Sequence, residues 1–138
     1  MNTPRVFGLS VAVWFVGYVF RILTCGWLFT WVYMIPPHIW VDPQAMMQLP
    51  SLVGMNLISW LHALMFVVVY AFVNKYMPFK GVTGGLLYGL GVTLVSSFGM
   101  LTMPFYMTIA PTVVIYWVLQ GLILNMVNGA IMGKWYRL

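Results

Sequence analysis

The sequence predicts an all-α polytopic membrane protein, with four transmembrane helices in an antiparallel bundle, both termini cytoplasmic, and residues 1–138 forming one transmembrane domain. Three observations predict it. The chain is 63% hydrophobic and only 5% charged, with a mean hydropathy of +0.97. That leaves too little polar surface to cover a water-soluble globule, so the bilayer must act as the solvent. The apolar residues fall into four runs bounded by proline, lysine or arginine. Finally, Arg5, Lys75, Lys80, Lys134 and Arg137 lie at the edges of those runs, and all share one side once the runs are threaded through a membrane.

The first span is read from about Val6 to Ile35 and stops at Pro36-Pro37, where missing amide donors break a helix. It is about ten residues longer than a 30 Å hydrocarbon core requires, so it must tilt, protrude, or kink near Gly17 or Gly26. An outer loop with His38, Trp40 and Asp42, the only acidic residue, leads to Pro50. Proline suits a helix start, and the second span runs from about Ser51 to Asn74, ending at Lys75. The third is read from Gly81 to Met103, closed by Pro104, and the fourth from Pro111 to Gly133, closed by Lys134. With no Lys or Arg in either outer loop, both termini are expected on the cytoplasmic side, and a bacterial inner membrane is the expected location. Trp27, Trp31, Tyr33 and Trp40 gather near one interface and Tyr76, Trp135 and Tyr136 near the other, as interfacial aromatics do.

A formal charge of +5 would suggest nucleic acid in a soluble protein. Here the cations sit in short loops and tails, where they set topology and attract anionic headgroups, so lipid is the expected partner and nucleic acid is not. The single Cys25 closes no intrachain disulfide, and its place inside an apolar run argues against redox or metal chemistry. No cleavage site follows the first run, which is expected to be retained. There are no paired carboxylates, no Ser-His-Asp set, no Cys-x-x-Cys and no phosphate loop, so no catalytic residue is expected and the chain is not read as an enzyme.

Helices in lipid associate through close packing and interhelical hydrogen bonds, because lipid tails are as apolar as leucine. Gly81, Gly85, Gly89, Thr93 and Ser97 recur every four residues on the third span, and Gly121, Asn125, Gly129 and Gly133 do so on the fourth. The short loop 104–110 makes these spans antiparallel neighbours, and the two ridges are the expected contact. A homodimer seam or a ligand groove is the alternative.

Counting from the span boundaries puts Arg21 and His62 halfway through the first and second spans, Thr93 and Ser96 near the middle of the third, and Gln120 and Asn125 near that of the fourth. Thr24 and Ser59 lie one turn from Arg21 and His62. Polar groups at one depth need partners where water is absent. Arg21 has five donors, a permanent charge and no carboxylate at its own depth. Two readings follow: the long first helix slides so that Arg21 snorkels to the headgroups, or an anionic group from outside the chain completes the charge. His62 admits three roles: a packing residue, a proton carrier, or an axial ligand to a haem or chlorophyll-type pigment. The packing role is the commonest, and no cofactor is predicted.

Met34, Met46, Met47, Met55, Met100, Met103 and Met107 map to the outer half with His38, a donor set suited to Cu(I). Met103-x-x-x-Met107 beside a glycine-spaced helix resembles, locally, the copper-uptake channels of the Ctr family, with Met103, Met107 and His38 as the implied ligands; methionine as flexible filler is the default. The ending Gly121-x7-Gly129-x3-Gly133-Lys134-x-Tyr136, together with Gly85-Leu86-Leu87-Tyr88-Gly89, resembles small bacterial four-span integral membrane proteins of unknown function. That resemblance implies topology alone.

The expected function is that of a non-catalytic accessory or structural subunit within a larger membrane assembly, with Arg21, Thr24, Ser59, His62, Gln120 and Asn125 as candidate residues for a partner or anionic ligand. A small homo-oligomeric transporter or channel for an anion is the alternative.

Overall fold

A computed structural model describes residues 3–37, 40–41 and 43–136. His38, Asp42 and Arg137, singled out in the sequence, lie outside the described residues. Every regular element among those described is helical: α1 (Thr3–Leu23), a π turn (Thr24–Leu28), a 3-10 turn (Thr30–Met34), α2 (Pro43–Met46), α3 (Leu49–Val73), α4 (Gly81–Leu101), a 3-10 turn (Met103–Phe105) and α5 (Pro111–Trp135). Among the described residues, four helical stretches are long and apolar enough to cross a membrane: Thr3–Leu28, Leu49–Val73, Gly81–Phe105 and Pro111–Trp135.

The boundaries follow local chemistry. Proline opens α3 and α5, where its missing amide would be unpaired in any case. Gly81 has φ 66°, a left-handed conformation that favours glycine, and it turns the chain from Lys80 into α4. The long first span is not one helix to Ile35. Its α-helical part ends at Leu23, and in the π turn that follows the Phe29 amide donates to the Thr24 carbonyl at 2.8 Å. The Thr24 hydroxyl donates back to the Phe20 carbonyl at 2.8 Å, a local bond that competes with the α-helical ladder and bends a helix. The turn contains Gly26, so the excess length is taken up by a change of helix type near that glycine.

α4 and α5 approach most closely. A Cβ added to Gly85 would run into the backbone of Gly129, one added to Gly89 into Asn125, and one added to Gly133 into Gly81. These pairs descend one helix while climbing the other, so the two helices run in opposite directions. Gly121, expected on the same ridge, lies off the seam, since a Cβ there would meet nothing within 4 Å. Each step of four residues turns about 40° past a full circle, so a row of four-residue steps winds off a straight contact face. Gly84, outside the expected ridge, is also closely approached: its Cβ would stand 2.9 Å from the Phe79 carbonyl carbon, in the connection that precedes α4.

One buried cluster joins the four long helices, with Val6 and Val13 of α1, Phe66 and Tyr70 of α3, Tyr88 of α4 and Met132 of α5 among its members. Tyr88 ties α4 to α3, since its hydroxyl donates to the Phe66 carbonyl at 2.8 Å and its ring meets those of Phe66 and Tyr70 edge-on. A second cluster, around Val32, Ile109, Val113 and Val114, closes the opposite end and takes in Met103. The cations gather at the first end: Arg5 donates to the Trp135 carbonyl at 2.6 Å, Lys80 to the Asn74 carbonyl, and Lys80 and Lys134 line one pocket.

Candidate functional site

The polar residues expected in one layer separate into three groups. In the first, the Gln120 amide donates to Thr24 Oγ1 at 2.5 Å and to Cys25 Sγ at 3.1 Å. The Tyr33 hydroxyl donates to the same sulfur at 3.1 Å, and Trp117 Nε1 donates to Tyr33 at 3.3 Å. Thr24 and Gln120 are thus committed to each other, and the π turn is what carries Thr24 and Cys25 onto α5. In the second group, the Asn125 amide donates to Thr93 Oγ1 at 3.1 Å across the α4–α5 seam, while the Thr93 hydroxyl donates to the Gly89 carbonyl at 3.0 Å. In both groups a side-chain amide of α5 reaches a threonine hydroxyl on another helical segment and so ties the two together.

The third group is different. Arg21, Ser59, His62, Asn125, Asn128 and Trp14 line a cavity of about 300 Å³ between α1, α3 and α5. Side chains on a helix lean toward its N-terminus. Arg21 follows that rule, folding back one turn so that its Nε donates to the Gly17 carbonyl at 3.3 Å. A Cβ on Gly17 would stand 3.8 Å from Leu124, so the guanidinium stem sits at the level of Leu124, with Asn125 and Asn128 just beyond on α5. Arg21 and His62 remain exposed, one on α1 and one on α3, while Asn128 on α5 is only 5% exposed. The cavity therefore has α5 as its back wall and opens between α1 and α3. The Ser59 hydroxyl donates to the Met55 carbonyl at 2.6 Å and is internally satisfied.

Two wall groups are not satisfied. Trp14 Nε1 and Asn128 Oδ1 are buried and have no hydrogen-bond partner. An orphaned amide or indole in an apolar wall costs about 1–3 kcal/mol. Neither residue stood out in the sequence, although a signal was there: Asn128 lies one turn from Asn125, and Trp14 lies two turns from Arg21, each on the same helix face.

Arg21 has no carboxylate side chain to meet among the described residues, because the only acid of the chain is Asp42. Among the described residues, no three His, Cys, Asp or Glu side chains come together to hold a metal ion. Met103 opens the 3-10 turn and packs against the second core cluster, and Met107, two residues past that turn, is 49% exposed. His62 faces the cavity without another histidine among the described residues. The site can therefore offer guanidinium donors to an anion between the long apolar helices. Comparison with known proteins gives no matching family model, no matching curated protein and no matching solved structure.

Proposed function

We propose that this protein is a non-catalytic accessory subunit of a larger assembly in the bacterial inner membrane, an antiparallel four-helix bundle with both termini cytoplasmic, in which Arg21 meets an anionic group supplied from outside the chain. The observation that carries this reading is Arg21 itself: it is exposed at the mouth of the cavity, and its one hydrogen bond among the described residues goes to the Gly17 carbonyl of its own helix. A guanidinium cannot shed its charge, and placing it at mid-bilayer costs about 2.5–3.5 kcal/mol on insertion scales, so the group is retained only where something compensates it. The orientation rests on the cations that gather at one end, which anionic headgroups and the cytoplasmic side both favour.

Native mass spectrometry after extraction in a mild detergent tests the reading. A stoichiometric complex with other proteins is the expected result, and recovery of only a lone, stable monomer overturns it. The cavity favours one second reading, an anion transporter or channel, because its unsatisfied wall groups suit a polar occupant. Anion flux into proteoliposomes that vanishes in Arg21→Ala would replace the subunit reading with that one.

A further inference from the structure

We infer that the α1–α3 face of the cavity is the docking groove for one transmembrane helix of a different protein, a helix that is apolar except for a single aspartate or glutamate at mid-span. This deepens the accessory-subunit reading and rests on it. Three observations specify the occupant. Along α3, Met55, Ile58, Met65 and Val69 form an exposed apolar stripe at helical spacing, with Ile58 70% exposed, and the stripe is interrupted by His62 at the cavity. That stripe is about 21 Å long, the reach of a helix rather than of a small molecule. Across the gap, Tyr18 and Ile22 of α1 are exposed on either side of Arg21. Ile58 and His62 of that stripe line the cavity with Arg21, so the site is cationic at one height with exposed apolar surface of α3 and α1 beside it, and its complement is an apolar helix with one anion at that height.

The charge count excludes a second copy. A copy brings another Arg21 to the interface and, by sequence, a single acid, Asp42, which falls outside the four apolar spans. Like charges meeting in a low dielectric repel, so the carboxylate must belong to another polypeptide. The wall behind Arg21 also holds two unpaired polar atoms. Asn128 is 5% exposed with its Oδ1 unpaired, and Trp14 Nε1 is an unpaired donor. A carboxylate entering between α1 and α3 accepts from the guanidinium, the charged donor exposed at the mouth of the cavity.

A synthetic transmembrane helix tests this: about 20 Leu and Ala residues flanked by lysines, with one central Glu, against the same helix with Gln. Binding of labelled helix to the full-length protein is read by energy transfer in lipid nanodiscs. The Glu helix should bind at least about tenfold more tightly than the Gln helix, the loss expected when a mid-membrane cation is left unpaired. Arg21→Met should abolish that difference, and Arg21→Lys should keep part of it. Equal binding of the two helices, or a preference that survives Arg21→Met, overturns the inference. If neither helix binds but free benzoate stabilises the protein against thermal unfolding in an Arg21-dependent way, the occupant is a small anion and the helix is excluded. A native complex that persists undiminished in Arg21→Met would leave the subunit reading standing and remove this groove from it.

Discussion

Replacing Gly89 with alanine tests what holds α4 to α5. A Cβ there would stand 2.6 Å from the Asn125 carbonyl carbon and 2.9 Å from Met126 Cα, both backbone atoms that no rotamer change can move. Ordinary carbon contacts begin near 3.5 Å, so the helices must separate by roughly 1 Å at this level. A gap of that size forfeits a quarter to a half of the dispersion well for each atom pair across it. The loss is shared by the Gly85–Gly129 and Gly81–Gly133 contacts and strains the Asn125–Thr93 hydrogen bond. Overpacking of this kind costs 1–3 kcal/mol and sometimes more, and alanine returns up to about 1 kcal/mol of helix propensity. A net loss of about 1–2 kcal/mol is expected. Gly121→Ala is the internal control: its Cβ meets nothing within 4 Å, so it should be neutral or stabilise by up to about 1 kcal/mol. Both are read by titrating SDS into mixed micelles and following helicity and tryptophan fluorescence. Gly89→Ala within 0.5 kcal/mol of the parent, or Gly121→Ala as costly as Gly89→Ala, would refute the close seam.

Tyr88→Phe removes only the hydroxyl that reaches the Phe66 carbonyl at 2.8 Å, and should cost about 1 kcal/mol in the same titration; no change would mean that α3 and α4 are held by ring packing alone. Asn128→Leu exchanges an orphaned buried amide for an apolar side chain, so the isolated chain should be as stable as the parent or slightly more so. A loss above about 1 kcal/mol would show that this amide is already satisfied. In a Cys25→Ala background, Tyr106→Cys should react with a membrane-impermeant maleimide in intact cells and Lys80→Cys only after permeabilisation. The reverse pattern would invert the proposed topology.

The four spans were legible because composition and punctuation act on the backbone directly. Pro50, Pro104 and Pro111 remove donors, and the cations at Lys75, Lys80 and Lys134 cannot enter an apolar run cheaply. The close approach at Gly85, Gly89, Gly129 and Gly133 was legible for a similar reason, since only a missing side chain lets two backbones touch. Gly121 shares their spacing but not their contact, because spacing fixes a helix face and leaves open how far along that face a crossing partner stays in reach. The π turn was visible only as excess length. Its position depends on Thr24 bonding both to the Phe20 carbonyl and to Gln120, a pairing over long sequence separation that no local pattern encodes. The candidate site was half legible. Arg21, Ser59 and His62 announced themselves as polar groups in apolar runs, whereas Trp14 and Asn128 matter only because α5 closes the wall behind them and leaves both without partners.

The two arginines described in α1 show why depth decides their roles. Arg5 lies in the first turn and finds the Trp135 carbonyl at the end of α5, where helix carbonyls run out of amide partners and favour a cation. Arg21 lies in the last turn of α1, just before the π turn that continues the span, and the Gly17 carbonyl it reaches is already an acceptor for its own helix. One shared hydrogen bond between a cation and a dipole leaves most of the guanidinium's donors unmet. Sliding α1 inward to relieve this would drag Gly17 away from Leu124 and break the contacts of Val6 and Val13 with α3. The packing that secures α1 is therefore what holds Arg21 at the level of Gly17 and Leu124, and the proposed lateral anion would meet it there with that packing intact.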